Sequence, residues 1–375
     1  MSDDLLMVAD SERDADMLYA VGMFVPDPFV YLRIRGRPLI ILSDLEVDRG
    51  RREAPHCRVI SHSDVVRRLE REGVRHPDMA QVIRWVLSDR GVRRVTVPAS
   101  FPLGLACRLK KIGLKVKPRQ GELFPEREIK RADEVKKISA ALTMAEVGLA
   151  EGIHAIKNSR VGRGRRLMYR NSPLTSERLQ GIIAAAVMQV GGIAANTIAA
   201  GGAQTCDPHE RGQGVLHAGE PIILDVFPRS QKTGFFGDIT RTVVKGRASD
   251  AVRGLYRTVE EAQDLAFSLI RSGAVGGDIH AQVQAHFIAA GYKTRRAQGR
   301  MQGFFHGTGH GLGLDLHERL RLGTHSPHKL KAGQVVTVEP GLYYSGIGGV
   351  RLEDVALVTR TGGKNLTRFE KVLEV

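Results

Sequence analysis

The sequence predicts two domains: an α/β domain at residues 1–125, then an α+β domain with an internal pseudo-two-fold repeat at residues 126–375. Strand-like and helix-like segments alternate along the first part, which is typical of an α/β domain. A linker-like stretch, Gly121–Arg131, follows it. In the remaining part, a strand-like motif that ends in a carboxylate occurs twice. Two domains also suit a chain of 375 residues.

The elements of the first domain are predicted from β-branched runs and from the helical spacing of apolar residues. Gly36 and Pro38 join the first two strands, and Ser61 or Ser63 is the expected N-cap of the first helix. The predicted strands are Phe29–Ile34, Leu39–Ser43, Arg94–Val97 and Leu114–Val116, and the predicted helices are Ser63–Glu72, Pro77–Asp89 and Leu103–Ile112.

Four helices are predicted in the second domain, again from helical spacing. The first begins at Ala132. The second follows Ser172 and Pro173, has Thr175 among its start signals, and runs to Met188. The third and fourth cover about Asp250–Ser272 and Asp278–Ala290.

The internal repeat consists of two segments that open on Ala-Gly and end on a carboxylate. Residues 218–225 are AGEPIILD and residues 332–339 are AGQVVTVE, so Asp225 and Glu339 occupy equivalent positions. A second acid follows each of them, Asp238 after 13 residues and Glu353 after 14, and precedes another β-branched run. Each unit is therefore predicted to be two antiparallel strands that bring their two acids side by side.

Two such units facing each other would bring four carboxylates to one point. Like charges raise one another's pKa, so four close anions need a counter-charge, and divalent cations provide one. The alternative is four unrelated surface acids at strand ends, which would leave the paired spacing unexplained. The repeat therefore predicts a cation site.

A segment rich in histidine and glycine lies between the two acid pairs. Residues 306–318 are HGTGHGLGLDLHE, with His306, His310 and His317. The glycines disfavour a helical zinc-binding His pair, and a phosphate loop would need a following Gly-Lys-Ser/Thr, which is absent. A flexible backbone that lets histidines approach a site closely is the better interpretation.

These motifs resemble those of the pita-bread metallopeptidases, which include methionine aminopeptidase, aminopeptidase P, prolidase and creatinase. GDITRT, HGTGHGLGLDLHE, TVEPGLYY and GGVRLEDVALV occur in the family's order over residues 128–375, and the set is highly specific. The N-terminal part resembles the accessory domain of the aminopeptidase P, prolidase and creatinase branch. The basic residue two positions before Glu353, Arg351, is a further feature that resembles the prolyl-specific branch. The resemblance implies a pita-bread catalytic domain at residues 126–375.

The resemblance also implies a two-metal site. Asp225 would chelate one cation, Asp238 and Glu353 would bridge both, and His310 and Glu339 would each complete one site. A water between the cations would be the nucleophile. Mn²⁺ suits four carboxylates and one imidazole, and Co²⁺, Zn²⁺ or Fe²⁺ could use the same donors.

Five catalytic residues are implied by the same resemblance. Glu339 would relay the proton of the water to the leaving amine. His209 would contact the leaving group or the scissile amide, and His317 would support the substrate carbonyl as charge develops there. His306 would line the proline side of the cleft, and Arg351 would orient the carboxylates or the substrate. A structural role is the alternative for the three histidines and for Arg351.

The sequence departs from the family between the first two acids. Their 13-residue separation contains a two-residue insertion, which we place within residues 227–236. An insertion of two residues preserves the alternation of a strand, so the metal geometry is expected to survive. The rim of the cleft, and with it the choice of substrate, is expected to differ.

Charge and composition restrict the partners and the compartment. The net charge is +15 and its densest basic run is Arg160–Arg170, which suits either a solvated surface or a nucleic-acid patch. No nucleic-acid-binding motif accompanies it, so nucleic acid is not expected. The sequence contains no run of about 18 apolar residues, so a membrane span is not expected. The acidic N-terminus and three scattered cysteines predict a cytoplasmic protein.

The combined prediction is an Xaa-Pro aminopeptidase that removes the residue before proline from the N-terminus of a peptide. An Xaa-Pro dipeptidase, or prolidase, is the near alternative. A non-catalytic pita-bread protein used for binding is the alternative from another class, and the basic charge keeps it open. The resemblance further implies a homodimer.

Overall fold

A computed structural model describes residues 4–297 and 299–375, and the chain divides into two compact units, Met1–Pro125 and Glu126–Val375. The strands of the first unit are β1 (Leu5–Ala9), β2 (Phe29–Ile34), β3 (Arg37–Leu42), β4 (Arg58–Ser61), β5 (Arg94–Val97) and β6 (Lys115–Pro118). Its helices are α1 (Ala15–Val21), α2 (Val47–Glu53), α3 (His62–Arg71), α4 (Met79–Ser88) and α5 (Leu103–Lys111).

The sheet of the first unit has six strands in the order β4-β3-β2-β1-β5-β6. The predicted hairpin is confirmed, because β2 and β3 pair antiparallel with Val30 opposite Ile41. The predicted N-cap Ser61 accepts a hydrogen bond from the backbone N–H of Asp64 at the start of α3. β1 lies in the middle of the sheet, antiparallel to β2 and parallel to β5, and was not predicted.

Both faces of this sheet are covered. Successive residues of a strand point to opposite faces. Leu6 of β1 therefore packs with α3, α4 and α5 in one buried cluster, while Leu5 and Met7 pack with α1 and α2 in another. The first unit is thus a layered α/β domain, as predicted.

Among its described residues, the second unit has four α-helices and a larger number of short strands. The helices are α6 (Ala132–Lys157), α7 (Ser176–Gln189), α8 (Asp250–Leu269) and α9 (Gly276–Ala289). The strands are β7 (Arg160–Val161), β8 (Leu167–Tyr169), β9 (Ser172–Pro173), β10 (Gly192–Ile193), β11 (Ile198–Gly201), β12 (Pro221–Val226), β13 (Arg229–Ser230), β14 (Ile239–Val244), β15 (Arg295–Ala297), β16 (Arg300–Gln302), β17 (Gly309–Gly311), β18 (Glu318–Leu322), β19 (Val335–Val338), β20 (Gly341–Tyr344), β21 (Gly348–Arg351), β22 (Asp354–Val358) and β23 (Gly363–Asn365). Across the described residues, every helix is too short or too polar to span a membrane.

The second unit contains two similar halves, each with two helices packed on one sheet. α6 and α7 share a buried cluster with Leu224 of β12 and Val243 of β14. α8 and α9 share another with Val336 of β19 and Ala356 of β22. β12 pairs antiparallel with β14, and β19 with β22, so the predicted repeat of two hairpins is confirmed.

The Ala-Gly pair of each half makes the same turn. Gly219 has φ +75° and Gly333 has φ +93°, in the left-handed region that favours glycine. The N–H of Gly219 donates to the carbonyl of Lys245, and the N–H of Gly333 donates to that of Val358, each at 2.9 Å. Two equivalent turns therefore lead into the two strands that position the first acid of each pair.

Candidate active site

One cleft of about 640 Å³ in the second unit is lined by all the predicted site residues. These residues are Asp225, Asp238, His310, Glu339 and Glu353, which are the predicted ligands, together with His209, His306, His317 and Arg351. The acids come from the two hairpins, and three of the histidines come from the segment around β17.

The first hairpin places Asp225 and Asp238 on one face. Asp225 in β12 pairs with Thr240 in β14, and Asp238 lies two residues before Thr240, so alternation turns all three to the same face. The tip is closed by a hydrogen bond from the N–H of Gly237 to the carbonyl of Pro228, at 3.0 Å. Its short strand β13 pairs with β10. The residues between the two acids therefore form the hairpin tip, and the alternation of β12 and β14 is intact.

The second hairpin brings Glu339 and Glu353 opposite each other. Val338 pairs with Asp354, and the two glutamates are the next residues on their strands. The hairpins meet where the N–H of Glu353 donates to the Thr240 carbonyl at 3.0 Å and the Thr240 hydroxyl donates to Glu353 Oε2 at 2.8 Å. The two acid pairs are thereby fixed at one junction.

Four of the five predicted ligands lie close together at this junction. One ligand atom from each of Asp238, His310 and Glu353 lies within 4.8 Å of the others. Glu339 Oε1 is 3.4 Å from His310 Nε2, and Asp238 Oδ2 is 3.7 Å from the same nitrogen. The fifth, Asp225, is held by Arg351, whose Nη2 donates to Asp225 Oδ2 at 2.7 Å.

His310 turns an unprotonated nitrogen towards these carboxylates. Its Nδ1 is 3.1 Å from the carbonyl of Gly311, and because a carbonyl only accepts, Nδ1 carries the proton of the neutral ring. Burial lowers the pKa of His310 to about 3, so the ring is neutral at pH 7. The Nε2 lone pair therefore faces the oxygens of Glu339 and Asp238, an arrangement that a cation between them would stabilise.

The carboxylates also show the cost of assembling so much negative charge. Burial, reinforced by neighbouring carboxylates, raises the pKa of Asp238 and Glu353 well above their ordinary values. Burial raises the pKa of Glu339 to about 7. Asp225 Oδ1 and Glu353 Oε1 are buried and have no hydrogen-bond partner among the described residues. Divalent cations would compensate both the charge and the unpaired oxygens, so the donor set fits them.

Arg351 joins the carboxylates to His306 through a hydroxyl group. Arg351 Nη1 donates to Tyr343 Oη at 3.2 Å. His306 Nδ1 lies 2.8 Å from the carbonyl of Gly307 and so carries the ring proton. His306 Nε2 therefore accepts from Tyr343 Oη, at 2.9 Å. Burial lowers the pKa of His306 to about 3. This chain fixes the orientation of His306 in the cleft.

The other two histidines lie on the exposed part of the cleft. The ring of His317 meets that of His310 edge-on, with centroids 4.3 Å apart. Burial lowers the pKa of His317. His209 follows the short helix Gly202–Cys206, and its backbone N–H donates to Asp207 Oδ1 at 3.2 Å. Both imidazoles are placed on the cleft surface, where a substrate could contact them.

Tyr343 and Arg321 line or support the cleft and were not predicted. Tyr343 is fully buried between His306 and Arg351, and Arg321 lines the cleft beside His317. The sequence carries no local signal for either. Arg321 turns to the cleft because it pairs with His310 across β17 and β18, and Tyr343 meets Arg351 because β20 pairs with β21.

Metal binding should stabilise the protein through these donors. Mn²⁺ at about 100 times its Kd should add about 2.7 kcal/mol to the free energy of unfolding and raise the Tm by roughly 5–10 °C. Thermal unfolding of the metal-stripped protein, with and without Mn²⁺, measures this shift. Glu353→Gln should remove most of it. A full shift in Glu353→Gln would show that the stabilising ion binds elsewhere.

Comparison with known proteins identifies relatives over most of the chain. Residues 136–360 match the model of metallopeptidase family M24. An uncharacterized peptidase of Bacillus subtilis is 37% identical over 177 residues, which are 47% of each chain, so this match spans about half the length of that relative. An Xaa-Pro dipeptidase of Pyrococcus horikoshii is 28% identical over 289 residues, or 76% of this chain and 75% of the relative.

Solved structures share the complete fold. An Xaa-Pro dipeptidase from Bacillus anthracis superimposes with a TM-score of 0.83 at 24% identity, covering 100% of this chain and 95% of that one. An X-Pro aminopeptidase from Thermotoga maritima has a TM-score of 0.82 at 22% identity, covering 99% and 97%. The predicted pita-bread fold of the second unit, preceded by an α/β unit, is thereby confirmed.

Proposed function

Because the chain belongs to metallopeptidase family M24, we propose that it is an Xaa-Pro aminopeptidase, which hydrolyses the bond between an N-terminal residue and a following proline. The observation that carries this proposal is the junction of the two hairpins. Three donors, Asp238, His310 and Glu353, meet there, and Glu339 adjoins them. The cleft around them is also lined by three more histidines.

We propose that the five predicted ligands hold two divalent cations, with manganese as the native metal. Such cations, when bound, would polarise the scissile carbonyl and lower the pKa of a water. Glu339 is less buried than Asp238 or Glu353. In this proposal it would take a proton from the water and pass it to the leaving amine.

The remaining site residues would orient the substrate. His317 lies against His310, where it could donate to the substrate carbonyl as negative charge develops. His209 on the exposed rim could contact the scissile amide or the leaving group. His306, fixed by Tyr343, would form the wall that accepts the proline ring. Arg351 donates to Asp225 and would thus keep the carboxylates in place.

An Xaa-Pro dipeptidase is the second candidate. It is favoured by the Pyrococcus horikoshii relative of that name, which aligns with 76% of this chain. The two activities differ in the group that they require on the C-terminal side of the proline. A dipeptidase requires a free carboxylate there, whereas an aminopeptidase accepts a continuing chain.

A series of Xaa-Pro peptides of increasing length distinguishes the two activities. We expect kcat/KM for a tripeptide or a longer peptide to exceed that for the Xaa-Pro dipeptide by at least about tenfold, equivalent to about 1.4 kcal/mol. Release of the first residue by the Mn²⁺-loaded protein, quantified by chromatography, measures it. The opposite order would establish the dipeptidase. Absence of cleavage by a protein that retains its metal would exclude both.

Three further expectations belong to this proposal. The first unit would act as the accessory domain of the aminopeptidase P, prolidase and creatinase branch. The protein would form a homodimer. It would reside in the cytoplasm, where Cys57, Cys107 and Cys206, all free thiols in the structure, would stay reduced.

A further inference from the structure

The loop of residues 312–317, here termed the His317 loop, joins two of the proposed active-site histidines. It begins two residues after His310 and ends at His317, directly before β18. The rings of these two histidines lie 4.3 Å apart. The position of His317 over the site therefore depends on how this loop is held.

Glu318 holds the loop from its C-terminal end. Glu318 pairs with Gly311 across β17 and β18, so its backbone is fixed beside the ligand segment. Its carboxylate turns back under the loop, where Oε1 accepts from the N–H of Leu314 at 3.2 Å. At Gly313, a Cβ atom would lie only 2.3 Å from Oε1. Glycine at this position thus makes room for the carboxylate.

Two basic side chains from the start of the second unit, Arg127 and Lys130, hold this carboxylate. Arg127 Nη2 donates to Glu318 Oε1 at 3.1 Å and to Asp315 Oδ2, within the loop, at 2.7 Å. Lys130 Nζ donates to Glu318 Oε2. The side chains of Lys130 and Glu318 are 3% and 11% exposed, so water screens this pair little. Loss of either partner would leave a poorly solvated charge beside the loop.

These two basic residues are themselves anchored to the turn at Gly333, in the second half of the unit. Lys130 Nζ also donates to the carbonyl of Arg127, at 2.5 Å, which ties the two residues together. The N–H of Lys130 donates to the carbonyl of Gly333 at 2.8 Å. Gly333 forms the turn that leads to Glu339. The segment Glu126–Arg131 is thus fastened at one end to a ligand strand and at the other to the His317 loop.

We propose that Arg127, Lys130 and Glu318 are positioning residues for the hydrolytic reaction, because they hold the His317 loop at the distance from His310 that the reaction requires. This inference rests on the proposed function. A displacement of about 1 Å at a reacting group can cost on the order of 100-fold in rate. The lining of the cleft includes none of these three charged residues, so their effect passes through the loop.

The test removes the contacts of Lys130 or Glu318 and measures the effect on the loop and on the reaction separately. In Lys130→Met, kcat for an Xaa-Pro peptide should fall by about 10- to 100-fold, with KM changed less than about threefold and metal content unchanged. Amide hydrogen exchange within residues 312–317 should accelerate, while exchange in α8 and α9 stays as in the wild type. Glu318→Gln keeps an acceptor for Leu314 and should show the same pattern more weakly.

The matched control is Lys331→Met. Lys331 forms its ion pair with Glu128 of the same segment, at 3.5 Å, and not with an acid of the His317 loop. This variant should keep wild-type kcat and loop exchange. Lys130→Arg should restore part of the kcat lost in Lys130→Met.

Each outcome bears on one hypothesis. Wild-type kcat per folded, metal-loaded molecule in both Lys130→Met and Glu318→Gln would overturn the inference, as would unchanged exchange in the loop. If Lys130→Met fails to fold, Glu318→Gln decides alone. If the wild type cleaves no Xaa-Pro peptide, the proposed function fails. Amide hydrogen exchange within residues 312–317 then still decides whether Arg127, Lys130 and Glu318 hold the loop.

Discussion

Asp238→Ala should abolish turnover, lowering kcat for an Xaa-Pro peptide by at least about a thousandfold, or roughly 4 kcal/mol. Asp238 is 4% exposed and belongs to the three-residue donor group with His310 and Glu353. Its loss would leave a buried imidazole and a buried carboxylate without the donor expected to share a cation with both. Steady-state kinetics with metal analysis of the same samples measures the effect.

The loss should not arise from unfolding. Burial and neighbouring carboxylates raise the pKa of Asp238, so its charge opposes folding when no metal is bound. Metal-free Asp238→Ala should therefore unfold at or above the Tm of the metal-free wild type. Asp264→Ala, on the exposed face of α8, is the matched control and should keep full activity. Retained turnover in Asp238→Ala would rule out the proposed metal centre.

Arg241→Met should lower the free energy of unfolding by about 3–5 kcal/mol. Arg241 is 1% exposed, and its guanidinium donates to the carbonyls of Thr240 and Glu353, to Asp354 Oδ1 and to the carbonyls of residues 369–370. Substitution would leave a buried carboxylate and several carbonyls poorly satisfied. Denaturant unfolding, monitored by circular dichroism, measures the change.

An exposed arginine provides the comparison. Arg253→Met removes an ion pair with Glu374, in which the two side chains are 35% and 39% exposed, and should cost less than about 1 kcal/mol. Equal losses in Arg241→Met and Arg253→Met would contradict the role that we assign to Arg241. Asp354→Leu combined with Arg241→Met should recover part of the stability, because it removes a buried charge whose remaining ion-pair partner is Lys371, at 3.5 Å.

Local signals were sufficient for much of the fold. Ser61 and Thr175 cap their helices as expected, because an N-cap depends on residues within one turn. The two acid hairpins were predictable from a self-match of composition and spacing. β1 was missed, since Leu5–Ala9 is short, uniformly apolar and flanked by acids. Such a strand is recognised only by the neighbours that cover both of its faces.

Site residues were predictable where the residue type itself indicates the chemistry. They were less predictable where the role of a residue depends on its contacts in the folded chain. Carboxylates and histidines in repeated motifs indicate a cation site from spacing alone. Tyr343 and Thr240 carry ordinary hydroxyl groups. The role of Thr240 arises only when the two hairpins meet, and that of Tyr343 only when the folded chain brings it against His306. Arg241 lies in an alternating strand, where a charged residue would ordinarily face solvent. Its burial results from the backbone that closes over it.

The division of donors between two hairpins has a consequence for when the protein can act. The first hairpin supplies Asp225 and Asp238, while His310, Glu339 and Glu353 come from residues after the first half. During synthesis, a chain that has made only the first half therefore carries two carboxylates and no imidazole of the set. The proposed donor set is therefore complete only after the second half has been made and has folded against the first.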